Sequence, residues 1–311
     1  MPDILDRIVA DRRADLERLG PAFGFPVPAL RKRPLVPFLK GRGVVLEIKR
    51  ASPSRGTFAP DLNPADLARA YGQAGAAGVS VVTEGRYFKG SLEDLAAAAA
   101  ARPDLAYLRK DFLLCEEEVD ISHRAGADAV LLIARILDEV RLRRMAAIAR
   151  SLGMTPLIEV REDADLAKLK AAASDGKILA GVNARDLSTF EVDPLVPAAL
   201  IGRLPVPAVY ESGIASPCAA AFAARLGYAG ILVGEGAASD PAGAAALVSS
   251  FLSSVPDASG LFWRRVAERR GVPAPGRSKA AGRRPLVKVC GLTTPEDALL
   301  AAGLGADLLG F

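Results

Sequence analysis

From Val44 onward the sequence repeats one pattern eight times: a short apolar, β-branched run, then an Ala- and Leu-rich stretch, then a turn punctuated by Gly, Pro or Asp. The runs are VVLEIK from Val44, VSVVTE from Val79, AYLRKDF from Ala106, AVLLIAR from Ala129, PLIEV from Pro156, ILAGVN from Ile178, PAVYESG from Pro207 and GILVGE from Gly230. Near-continuous apolar runs that alternate with helical segments are the mark of βα units around a parallel sheet, because both faces of each strand must be covered. Eight units in succession predict an α/β fold of the (β/α)8 TIM barrel type, which ordinarily occupies about 250 residues as one domain. The chain has 311 residues, half of them hydrophobic. That is enough for one such barrel and too short for two.

Local signals place the helices. Asn63 before Pro64 sets a capping side chain ahead of a first-turn proline, and Ser91 with Asp94 has capping-box spacing, with Asp in place of Glu. A helix over 91–101 follows. Gly-rich turns at 75–78 and 126–128 end helices and lead into strands. Ahead of the barrel, residues 3–19 have amphipathic spacing with Ile4, Ile8 and Leu16 on related faces, and a Pro-rich connector runs from Pro21 to Pro37. An extra helix capping the barrel is expected. The plan is a barrel over 1–256 with its N-terminal extension at 1–40, a basic Pro/Gly-rich linker over 257–284, and a partial βαβ fragment over 285–311.

Charge and composition narrow the function. Cys115, Cys218 and Cys290 lie far apart in no metal-ligand spacing, and His123 is the only histidine, so a reduced, metal-free protein is expected. The N-terminus has no uninterrupted apolar core of a signal sequence, and no apolar run approaches the roughly 20 residues of a membrane span. A cytoplasmic protein with no membrane partner follows. The pI near 9.0 comes from residues 264–288, which hold nine Lys or Arg against the single acid Glu268, leaving the remainder slightly acidic. No stacking aromatics accompany those Pro/Gly-rich charges, so nucleic-acid binding is not expected.

In a barrel of this kind chemistry sits at the C-terminal ends of the strands. Polar residues gather there: Glu47 and Lys49, Glu84, Lys110, Glu159, Asn183, and Glu211 with Ser212. A solvated strand-end charge would account for any one of them, but six strand ends agree. Glu47 and Lys49, two apart on one strand, share a face and set a carboxylate beside an ammonium. Lys110 follows Ala106 to Leu108, and Glu159 follows Leu157 and Ile158. Both are expected to be partly desolvated near opposite charge, as acids and bases in proton transfer are. Gly213 and Gly234 let backbone N–H groups approach an anion where barrels often hold phosphate, although Glu235 would have to point away; equally, such glycines can serve only to turn the chain.

Six segments, EIKRASPSRG from Glu47, TEGRYFKGSLEDL from Thr83, LRKDF from Leu108, LIEV from Leu157, VNARDL from Val182 and ESGI from Glu211, together resemble the indole-3-glycerol phosphate synthase family, in order, from about residue 3 to residue 254. The resemblance implies ring closure, decarboxylation and dehydration of 1-(2-carboxyphenylamino)-1-deoxyribulose 5-phosphate, without metal or organic cofactor, in tryptophan biosynthesis. It implies that Lys110 is the general acid, that Lys49 holds the anthranilate carboxylate and assists dehydration, and that Glu159 is the general base. Glu47 would orient Lys49, Asn183 would bind substrate hydroxyls, and Glu211 with Ser212 would line the pocket. Ser52, Arg185, Gly213 and Gly234 match positions at or around the phosphate, and Phe112 would pack on the anthranilate ring. Ala184 and Gly236-Ala237-Ala238 depart from the family pattern and bear on substrate placement only.

The segment LVKVCGLTTPEDALLAAGLGADLLGF from Leu286 resembles the opening of the phosphoribosylanthranilate isomerase family. That resemblance implies a bifunctional fusion, with Cys290 in the place of a general base. One β-α-β piece cannot assemble such a site, so no isomerase activity is expected and Cys290 is read as an ordinary buried strand cysteine. Three other readings of the barrel stay open: a glycosidase using Glu159 and Glu211, a Schiff-base aldolase, and an inactive scaffold. No strongly apolar exposed helix face stands out, and a monomer is expected.

Overall fold

The eight predicted strands are all present in the computed structural model, which describes residues 4–234, 241–271 and 285–311. They are β1 (Gly43–Ile48), β2 (Gly78–Val82), β3 (Tyr107–Lys110), β4 (Ala129–Ile133), β5 (Thr155–Val160), β6 (Leu179–Asn183), β7 (Ala208–Glu211) and β8 (Gly230–Val233). Each is hydrogen-bonded in parallel to its sequence neighbour, and β1 also pairs with β8, with Val44 opposite Ile231, so the sheet closes into a barrel.

Helices α2 (Pro64–Gln73), α3 (Leu92–Ala101), α4 (Glu117–Ala125), α5 (Glu139–Ser151), α6 (Asp163–Ser174), α7 (Leu195–Leu200), α8 (Pro217–Leu226) and α9 (Pro241–Ser253) follow the strands in turn. The caps act as the sequence suggests. Asn63 Oδ1 accepts from the N–H of Ala65 at 2.9 Å, and Ser91 Oγ accepts from the N–H of Asp94 at 3.2 Å. The second half of the expected capping box differs: the Asp94 carboxylate pairs with Arg50 at the end of β1. A guanidinium offers that carboxylate a charge-assisted bond that the Ser91 N–H cannot match.

The predicted extra helix is α1 (Ile4–Leu19), but its buried residues are Leu5, Ile8 and Arg12 rather than Ile4, Ile8 and Leu16. The face is set by Arg12, whose guanidinium enters the protein to meet two buried carboxylates. The connector after α1 is anchored on Asp128. Arg31 and Arg33 each reach an oxygen of this carboxylate at 2.6 Å, while the N–H groups of Val36 and Tyr107 donate to it at 2.9 Å.

Residues 258–270 depart from the expected linker. They form α10 (Ala258–Arg270), which packs on α7 and α8. Gly260 lies so close to the Arg225 carbonyl that a Cβ there would be 1.9 Å from its oxygen. Trp263 meets Phe222 edge-on at 6.4 Å, and Arg270 reaches Asp193 at 3.7 Å. Four of the basic residues therefore belong to a docked helix whose Val266 and Ala267 are buried. The rest of the predicted linker, 272–284, and the Glu235 to Ala238 turn lie outside the described residues. The last segment forms a parallel pair, β9 (Lys288–Val289) and β10 (Leu308–Leu309), joined by α11 (Pro295–Gly303). Cys290 is exposed there, not buried as expected, because a two-stranded sheet has too few neighbours to cover it.

Candidate active site

A strand turns successive side chains to opposite faces, so residues two apart rise through the barrel on the same side. Val45, Leu108, Leu131, Leu157, Leu179, Val209 and Leu232 belong to one buried apolar cluster that forms the floor. Two residues further along these strands come Glu47, Lys110, Ile133, Glu159, Gly181, Glu211 and Gly234. All but Gly181 line a cavity of about 270 Å³ at the barrel mouth, whose rim carries Lys49, Ser52, Phe112, Asn183, Arg185, Ser212 and Gly213. Every residue that the sequence singles out for catalysis, substrate or phosphate therefore lies on one pocket.

Glu47 is the centre of its charge pattern. Its Oε1 lies 3.0 Å from Lys49 Nζ and its Oε2 lies 3.5 Å from Lys110 Nζ, with Ser80 Oγ donating to Oε2 at 3.4 Å. Burial alone would raise the Glu47 pKa, yet Lys110 and Lys49 bring it down to about 2. Gly234 makes room for the group, since a Cβ there would stand 2.8 Å from Glu47 Oε1 and 3.1 Å from Lys49 Nζ. Lys110 is likewise desolvated, which opposes its charge, but Glu47, Glu211 and Glu159 outweigh that and raise its pKa. It stays an ammonium with protons to give.

Opposite stand two carboxyl groups that cannot both ionise. Burial raises Glu159, against the pull of Lys110 and a hydrogen bond with Asn183. Glu211 is raised further, by burial and then by the Glu159 charge, and neither of its buried oxygens receives a hydrogen bond. Each carboxyl shifts the other, and the arrangement fits one proton held between them with the negative charge resting on Glu159. Two-carboxylate glycoside hydrolysis has no role for Lys49 and Lys110, so the glycosidase reading leaves the charged centre of this pocket unexplained.

At the rim, Phe112 and Phe88 lie with ring centroids 6.1 Å apart, both facing the cavity. Asn183 Oδ1 accepts from the Arg185 N–H at 2.9 Å, and Arg185 Nη1 donates to the Phe190 carbonyl at 3.1 Å, which fixes the loop after β6. Ser212 holds a left-handed backbone, φ 68°, beside Gly213 at φ 77°. For a serine this conformation costs about 1–3 kcal/mol and is found where a site dictates the backbone. Ser52 and Ser54 face each other at 3.3 Å in the short hairpin that follows β1.

Glu84 has a different task from the one its strand-end position suggests. Its carboxylate accepts from the N–H groups of Arg86, Tyr87 and Phe88 at 2.7–2.9 Å, shaping the loop that carries Phe88. Phe88, Leu187 and Phe190 also line the pocket, and only the folded loops bring these apolar side chains to it. Asp111, buried at the same pocket, is absent from the expected site, although a charge next to a site lysine is a readable signal.

The profile of a family described as indole-3-glycerol phosphate synthase matches residues 5–247. A protein of that description from Desulfosudis oleivorans is 46% identical over 179 residues, 57% of this chain, and this chain spans 66% of its length. Another from Nocardioides sp. is 41% identical over 240 residues, covering 75% of this chain and 85% of the relative. Among solved structures, 3-hexulose-6-phosphate synthase from Salmonella typhimurium superposes with a TM-score of 0.53 at 15% identity, over 68% of this chain and 98% of that one. At that identity the likeness concerns the fold.

Proposed function

The chain belongs to the indole-3-glycerol phosphate synthase family, and from that premise we propose how its buried charges divide the reaction. The enzyme is a carboxy-lyase of tryptophan biosynthesis that converts 1-(2-carboxyphenylamino)-1-deoxyribulose 5-phosphate into indole-3-glycerol phosphate, CO2 and water. The aromatic carbon that bears the carboxylate attacks the ribulose carbonyl, and Lys110 gives a proton to the carbonyl oxygen. The C–C bond to the carboxylate then breaks, CO2 leaves, and its electron pair restores the ring. Dehydration removes the new hydroxyl with a proton from Lys49 and the neighbouring ring C–H proton to Glu159. Two protons are given and one is taken back, which matches the overall loss of a carboxylate as CO2.

The observation that carries this assignment is the triad on Glu47: one ionised carboxylate pairs with two lysines and holds both at the same cavity. Lys49 is also the cation available to the substrate carboxylate, and Phe112 offers a ring face for the anthranilate. Asn183, Glu211 and Ser212 are read as contacts for the ribulose side, and Ser52, Arg185, Gly213 and Gly234 as the surroundings of the phosphate. The residues act without a cofactor, in a cytoplasmic monomer. The segment 285–311 is read as the first β-α-β of an isomerase-like unit, a reading that its parallel β9–β10 pair supports.

Growth of indole fluorescence on adding the substrate tests the assignment. The parent should turn over, and Lys110→Ala at equal folded concentration should lose about 10²–10⁴-fold, the usual contribution of a general acid. A folded parent without turnover would return weight to an inactive scaffold. Reduction with borohydride in the presence of substrate should trap no adduct, since a Schiff base on either lysine would point to aldolase chemistry.

A further inference from the structure

We propose that Asp111 is a positioning residue for the reaction, and that Arg12 of α1 holds it in place, so that the N-terminal helix sets the rate from outside the cavity. The inference rests on Lys110 acting as the acid. Asp111 stands between Lys110 and Phe112, the acid and a ring that lines the same pocket. Its Oδ1 accepts from the Phe112 N–H at 2.8 Å. Its Oδ2 receives Thr83 Oγ1 at 2.6 Å, Arg12 Nη2 at 2.9 Å and Arg109 Nη2 at 3.1 Å. The backbone that carries both site residues is therefore fixed through one carboxylate.

The same Arg12 nitrogen donates to Glu118 Oε1 at 2.7 Å, and its Nε reaches the Phe112 carbonyl at 3.4 Å. Glu118 Oε2 in turn accepts from the N–H of Leu114 at 2.8 Å, fixing the loop that leaves β3. Arg12, Arg109, Asp111 and Glu118 are all at least nine-tenths buried and sum to zero charge. A buried ionic cluster is a poor source of stability, and apolar residues of similar volume would often serve as well. What a fully satisfied cluster supplies is a single geometry. Here that geometry lies one residue from the acid. Burial opposes the ionised form of Asp111, but Arg12 and Arg109 keep its pKa below the ordinary value, so the cluster stays closed at neutral pH.

The test measures kcat and KM by indole fluorescence for Asp111→Asn, Thr83→Val, Arg12→Met and the double variant Arg12→Met with Asp111→Asn. The double variant leaves Arg109 facing Glu118 and keeps the interior neutral, so it should fold where Arg12→Met alone strands a charge. A misplacement near 1 Å costs about a hundredfold. Asp111→Asn and the double variant should thus lose about ten- to a hundredfold in kcat, with KM changed by less than about threefold. The double should be no slower than Asp111→Asn, because Arg12 acts through Asp111. Thr83→Val, which removes the hydroxyl's bond to Asp111 and the one it accepts from Arg109 Nε at 3.1 Å but no charge, should lose a smaller but measurable part of kcat, and Arg12→Lys should keep more kcat than Arg12→Met. Folded Asp111→Asn with parental kcat, or a rise in KM alone, would overturn the proposal while Lys110→Ala remains inactive. If Lys110→Ala keeps its rate, the reading of the acid fails instead.

Discussion

Gly181 builds part of the pocket by having no side chain. A Cβ there would lie 2.0 Å from Glu211 Oε1, so the Glu211 carboxyl occupies space that β6 leaves open and meets Glu159. Gly181→Ala should therefore cut kcat/KM at least about tenfold, the order expected when catalytic groups shift, while the thermal midpoint stays near that of the parent. The pair also predicts a pH dependence. Glu159 must be ionised to take a proton, and burial raises it above its ordinary value of 4.5. Turnover should then fall with decreasing pH on a limb lying above 4.5, as a pH series of kcat/KM will read. Glu211→Gln keeps a donor for Glu159 and should leave that limb in place, whereas Glu211→Leu removes it and should move the limb up. Lysines and glutamates at strand ends were legible in the sequence because a charge in an apolar run needs a reason. Gly181 was not, since a glycine gives no hint of which side chain will lie over it.

At the scale of elements, the strands and caps were readable because their signals are local, and the elements misread are those whose partners are remote in sequence. The stripe of α1 follows from spacing, yet Arg12 turns inward to carboxylates just past β3 and on α4. Helix α10 was hidden in a basic, Pro/Gly-rich composition, because its few apolar residues acquire meaning only against α7 and α8. The connector after α1 shows what such remote pairing contributes. Asp128→Ala would leave Arg31 and Arg33 buried without their carboxylate. Breaking a buried pair from one side costs about 3–5 kcal/mol, and urea titration should record a loss of that order with the linear slope unchanged. Activity at low temperature should persist, because Asp128 lies at the start of β4, away from the cavity.

For the molecule as a whole, barrel and tail make separable contributions. A chain ending after residue 271 should keep the kcat of the full chain, since the residues of the cavity all precede it. A chain ending at 256 should unfold at lower temperature, because it uncovers Phe222 and the faces of α7 and α8 against which α10 packs. Paired thermal scans and fluorescence assays would read both. The closure of the barrel has one more consequence. With β1 bonded to β8, each of its eight strands has two neighbours and none offers unpaired backbone to another molecule. The β9–β10 pair is the reverse: among the described residues each of its two short strands has a neighbour on one side only, and Leu299 and Leu300 of the adjoining helix and Leu304 at its end face solvent. In this 311-residue chain, self-association on concentration should therefore start at residues 285–311 and spare the closed barrel.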